Sequence, residues 1–152
     1  MIRKFAVAAT ALTIGLVAAG SVFAQARPEV LVKQRQAAMS LQGKYYYPIR
    51  AMAQGKVPYD AAIVARNVAF LDALAKMPWD GFNASTKDVK SATLPAAFTD
   101  TAKLKEAEDR FMAETTKLAG LMKGNDEAAI KAQILAVDKA CNSCHESFRE
   151  RQ

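Results

Sequence analysis

Apolar positions recur along most of the chain at alternating spacings of three and four, the mark of amphipathic helices rather than strands. The first such run extends from about Pro28 to Gln54, with Leu31, Ala38, Tyr45, Ile49 and Met52 at helical spacing. Pro28 suits a first helical turn, where its missing N–H costs nothing. Pro48 predicts a kink or local break, and Gly55 a terminator. A second run, from about Asp60 to Met77, repeats Ile63, Asn67, Phe70, Leu74 and Met77 until Pro78 ends it. A third, from about Asp100 to Lys123, has Thr99 or Asp100 as its cap and carries Leu104, Phe111, Thr115, Leu118 and Met122. A fourth, from about Asp126 to Arg149, repeats Ile130, Ile134, Val137, Cys141, Cys144 and Phe148 at the strict spacing of a bundle seam.

Residues 79–99 are the least regular, with Gly81, Asn83, Ser85, Thr86, Ser91 and Pro95 interrupting any period. They read as a long crossover in which any helix is short. No period-2 strand is visible. Short connections within the first and last helix pairs and a long one between them predict an all-α, antiparallel four-helix bundle with a long crossover connection between helices two and three.

The N-terminus lies outside that pattern. Arg3 and Lys4 form a short basic region, residues 5–22 are apolar and small, and Val22-Phe23-Ala24 offers small residues where a signal peptidase cuts. The expectation is a secretory signal peptide over residues 1–24, cleaved after Ala24 with Ala26 as second choice, and a mature domain over 25–152. A membrane anchor is the alternative. The run barely reaches the ~18 residues a span needs, is diluted by Ala and Gly, and has no stop-transfer charges after it. The mature form is therefore expected to have no membrane span and to reside in the periplasm.

The net charge of +6 falls once Arg3 and Lys4 leave with the leader. No basic stripe with interleaved aromatics exists, so nucleic acid is not an expected partner. At 152 residues and 51% apolar composition the chain supports one cored domain.

Export alters the meaning of the two cysteines. Cys141 and Cys144 are too close for a disulfide to gain much chain entropy, and no strand precedes them as in a redox pair. The only histidine, His145, follows directly. Two thiols can add to the two vinyl groups of haem, and the imidazole can take an axial position on the iron. On a helix all three point to one side. A closed zinc site would need four ligands, and no second cluster completes one. The expected cofactor is one covalent haem c, with His145 as the iron ligand.

The opposite face of the iron is open between a methionine and nothing. Met39, Met52, Met77, Met112 and Met122 are the candidates, and core packing is the ordinary role of each. Met39 lies one turn after Arg35 and one turn before Gly43, a helical glycine that a close approach of something flat would explain.

The succession of Arg35-Gln36-Ala37-Ala38-Met39, then Gly55-Lys56-Val57-Pro58-Tyr59-Asp60, then Met77-Pro78-Trp79, then Cys141-x-x-Cys144-His145-x-x-Phe148-Arg149 resembles the class II c-type cytochromes, cytochrome c′ in particular. The resemblance covers essentially the whole mature chain. It implies a periplasmic bundle, often a homodimer, with His145 as proximal ligand of a five-coordinate iron. It implies that Met39 covers the distal face, that Arg35 and Gln36 lie near the propionates, that Arg149 lies beside His145, and that Trp79 lies near the haem edge. It further implies binding of NO and CO and passage of electrons. The low-spin branch of the same family uses a methionine in this region as sixth ligand, and a crossover shorter than in many cytochromes c′ leans towards that branch. An enzyme such as a peroxidase is disfavoured, because the only histidine is already the proximal ligand.

Each residue also has a plainer reading. Arg35 and Gln36 can be solvated helix residues, Trp79 can close the core, Arg149 can complement the helix dipole, and Phe148 can pack beside His145. The run Tyr45-Tyr46-Tyr47 must turn at least one ring outward.

Overall fold

The computed structural model describes residues 26–151, so the leader expected over residues 1–24 lies outside the described residues. The elements are α1 (Pro28–Ala53), α2 (Ala61–Leu74), two 3-10 turns (Trp79–Phe82 and Ala84–Thr86), α3 (Ala96–Thr99, a single turn), α4 (Thr101–Leu121) and α5 (Glu127–Phe148). The four long helices form a ring in which α1 packs on α2 and α5, and α4 packs on the same two. This is the predicted four-helix bundle, with the crossover of 3-10 turns and α3 between the second and third long helices. Among the described residues the only sheet-like pairing is an isolated bridge between Thr93 and Arg149.

Local chemistry sets the helix ends. Asp60, Asp100 and Asp126 each accept a hydrogen bond from a backbone N–H three residues on, at Ile63, Lys103 and Ala129. Each thereby satisfies one of the orphan donors of a first turn. At the far end of α1, Gly55 takes φ +69°. This lets Lys56 N bond Ala51 O and Gly55 N bond Met52 O, a Schellman closure. Pro48 does not break α1, which is helical on both sides of it.

Ile49, Val64, Val68, Leu71, Phe111, Leu118, Ile134 and Val137 fill the main core. A smaller cluster of Ala97, Leu104 and Phe148 lies where α3 meets α4 and α5. The expected stripes of the third and fourth long helices are the observed ones. The stripe of α2 is not: Val64, Asn67, Val68, Leu71 and Leu74 face inward, while Phe70 and Met77 are 46% and 58% exposed. α2 is apolar almost all round, so its period does not choose a face. Phe70 stacks instead on Tyr45 at 4.7 Å between centroids, and Met77 lies beyond the helix end at Leu74. On α1, Val32 and Tyr46 are the buried positions where Leu31 and Tyr45 were expected. Of the three tyrosines, Tyr46 is buried, Tyr45 is half-buried and Tyr47 is 63% exposed.

Candidate haem site

A cavity of about 590 Å³ opens between α1, α5 and the crossover, within the ~300–1,000 Å³ typical of ligand pockets. Cys141, Cys144, His145, Phe148 and Arg149 line it from α5 and its end. Arg35, Gln36 and Met39 line it from α1, and Trp79 from the first 3-10 turn. The nine residues expected at the haem thus share one cavity, and of the five candidate methionines Met39 alone is among its lining residues.

The α5 wall carries the reactive groups. Cys141 and Cys144 are free thiols, each half-buried. Burial, with Asp138 and Cys144 nearby, pushes the Cys141 thiol up to about 12, and burial raises Cys144 as well. His145 is lowered from its ordinary value by burial and by the Arg149 cation. The imidazole is therefore held neutral, the form that can bind a metal. Arg149 caps α5 through its N–H to His145 O at 3.0 Å, and the segment 92–94 runs beside it: Leu94 N bonds Phe148 O, and Glu150 N bonds Ala92 O. Phe148 is buried against Ala97 and Leu104, so it anchors the end of α5 while lining the cavity.

The α1 wall carries an unusual cation. Arg35 is buried to 3% exposure. Its guanidinium donates to Gly81 O and to Ser91 Oγ at 3.2 Å, and lies 4.5 Å from the centroid of the Phe82 ring. None of these partners is a carboxylate, and Arg35 takes no part in the ion pairs formed among the described residues. Desolvation accordingly lowers its pKa. The crossover approaches α1 so closely here that only glycine fits at position 81: a Cβ would lie 2.7 Å from Arg35 Cβ and 3.0 Å from Leu31 O. Gln36 is exposed and Met39 half-buried at the cavity. Gly43 also lines it, and the flat group at its Cα face is the Tyr47 ring, 3.0 Å from a built Cβ. Trp79 donates Nε1–H to Ala75 O at 2.7 Å and packs edge-on against Phe111 at 6.5 Å. It closes the core as well as bordering the cavity.

The sequence reading missed Ser91, Phe82, Tyr46, Arg50 and Asp138. Asp138 had a signal, being one turn before Cys141 on the same helix face. Ser91 and Phe82 had none, because the crossover brings them in without periodicity.

The family model described as Cytochrome C' matches residues 30–149. The chain belongs to the cytochrome c′ family. It is 36% identical over 126 residues to a cytochrome c' of Rubrivivax gelatinosus, covering 82% of this chain and 98% of that one. It is 31% identical over 129 residues to cytochrome c-556 of Rhodopseudomonas palustris, covering 80% and 84%. The crystal structure of the Rubrivivax gelatinosus protein superposes with a TM-score of 0.78 over 82% of this chain and 98% of that chain, at 36% identity. A nitric oxide complex of a variant of cytochrome c prime from Alcaligenes xylosoxidans superposes at 0.76 and 29% identity, covering 84% and 99%.

Cytochromes c′ bind one covalent haem c, and the cavity of this family member fits it. The volume suffices, two thiols and a neutral imidazole share one helical face, and a buried cation without a carboxylate suits an anionic substituent.

Proposed function

We propose that this chain is a periplasmic mono-haem cytochrome in which Cys141 and Cys144 form the thioethers, His145 is the proximal iron ligand, and Met39 covers the other face. The observation that carries the reading is the pairing of walls: the thiols and imidazole on α5, and Met39 on α1, across one cavity. The haem supplies a one-electron iron centre that also takes diatomic gases. The protein does the rest. Arg35 offers a desolvated guanidinium to a propionate, with Gln36 beside it at the rim. Burial, helped by the Arg149 cation, lowers the His145 imidazole from its ordinary value and favours its neutral form. Trp79 and Phe148 wall the haem edge. Met39 fills distal space, so that only small ligands such as NO and CO compete for it.

The leader pattern over residues 1–24 supports export before haem attachment. Leu41, one turn from the Tyr45–Phe70 stack, is 42% exposed, which supports a homodimer through the α1–α2 side. The role is non-enzymatic, because no second histidine is present to serve as a distal acid or base.

The optical spectrum tests the axial assignment. Broad high-spin bands, ready CO binding and a spin state unaltered in Met39→Ala are expected. A sharp low-spin spectrum with a far-red methionine–iron band, lost in Met39→Ala, would instead establish a six-coordinate His145/Met39 electron carrier. The half-buried place of Met39 on the cavity wall makes that the second reading.

A further inference from the structure

The cavity has a second charged end that the haem-binding roles above leave unused. Arg50 follows Arg35 by fifteen residues on α1, about 22 Å along a helix, yet both line the same cavity. Arg50 Nε lies 3.1 Å from Asp138 Oδ1, with the two side chains 37% and 18% exposed. The buried Nε–H is not aimed at that oxygen and makes no hydrogen bond, so the contact is charge against charge. Tyr46, buried next to the pair, donates its hydroxyl to Ile134 O at 3.2 Å and is pushed up by burial and by Asp138. The Cys141 thiol is raised chiefly by burial, and the field of Asp138 adds to it.

Asp138 precedes His145 by seven residues, about 10 Å along the axis of α5. We propose that Asp138 and Arg50 are opposed potential-setting residues of the haem: Asp138 stabilises the ferric form and Arg50 offsets it. The inference rests on His145 ligating the iron of a haem in this cavity. One electron changes the charge of the iron by one unit. At an effective dielectric of ~20, a full charge on the order of 10 Å from a redox centre changes such an equilibrium roughly ten- to twentyfold. A carboxylate held in the cavity wall resists screening by salt better than any charge on the surface.

Potentiometric titration of the haem-loaded protein reads the effect directly. Asp138→Asn is expected to raise the midpoint potential, shifting the ferric:ferrous ratio about tenfold towards ferrous, or about 59 mV for one electron. Arg50→Gln is expected to lower it by a similar factor, the double variant to return close to the parent, and Asp138→Glu to retain the parent potential. The Asp138→Asn shift persists at ~1 M salt, whereas any shift from Lys139→Gln, an exposed neighbour, collapses there. Shifts of the same sign in the two single variants, or shifts below about threefold, would overturn the proposal, since loosened packing has no reason to respect charge sign. Should Asp138→Asn fail to accumulate, Arg50→Gln alone decides by its sign. The alkaline pyridine spectrum separates the two levels: loaded haem with an unmoved potential sinks this inference only, while absence of covalent haem in the parent sinks the reading beneath it.

Discussion

The closest backbone approach in the site gives the sharpest stability prediction. Replacing Gly81 by Ala adds one methyl group where the crossover crosses α1. The new Cβ would lie 2.7 Å from Arg35 Cβ and 3.0 Å from Leu31 O. Neither is the far end of a flexible side chain, so α1 or the crossover must move. Overpacking of this kind costs ~1–3 kcal/mol. Against it stands the gain of ~0.4–1 kcal/mol that Gly→Ala brings by restricting the unfolded chain, because Gly81 does not occupy the left-handed region. The net expectation is a loss of about 1–2 kcal/mol, or a fall in Tm of roughly 2–8 °C. Gly120 is the internal control. It lies in α4 with nothing within 4 Å of a built Cβ, so Gly120→Ala should stabilise by ~0.5–1 kcal/mol through helix propensity and unfolded-state entropy. Thermal and denaturant unfolding of both variants, in the same haem-loaded form, measures the contrast. If the two substitutions move stability in the same direction, the steric account of the crossover is wrong.

Other outcomes follow from the same contacts. Leu118→Ala removes a side chain with no exposure and should cost ~2–5 kcal/mol, read as a lower denaturant midpoint with an unchanged slope. Asp60→Ala removes the bond to Ile63 N at 2.9 Å and should cost about 1 kcal/mol, a loss that Asp60→Asn largely avoids in the same unfolding assay. In chain not yet bearing haem, burial and Asp138 lift the Cys141 thiol to about 12, so the fold favours the protonated form. Its alkylation by iodoacetamide at pH 8 should be slow and should accelerate on unfolding, where the thiol returns to its ordinary value near 8.5. Equal rates in both states would contradict the burial of that thiol.

Much of this protein was legible in its sequence because the deciding signals are local. The Cys141–His145 spacing puts three functional groups on one helical face whatever surrounds them, and the same period that buries Ile130, Ile134 and Val137 points that face inward. The Asp100 cap and the Gly55 stop depend only on neighbours within a turn. The tertiary structure decided what periodicity leaves degenerate. α2, apolar around most of its circumference, could turn either face inward. Packing against α1 and α4 chose Val64, Val68 and Leu71 and left Phe70 outside on Tyr45. The crossover has no period, so its delivery of Gly81, Phe82 and Ser91 to the buried Arg35 guanidinium could not be read from spacing. The same holds for the Arg50–Asp138 pair: each residue looks like an ordinary helix charge, and only the crossing of α1 over α5 sets them 3.1 Å apart at the cavity wall. Local geometry follows from a few residues of chain, whereas which distant surfaces meet is fixed by the packing of the whole bundle.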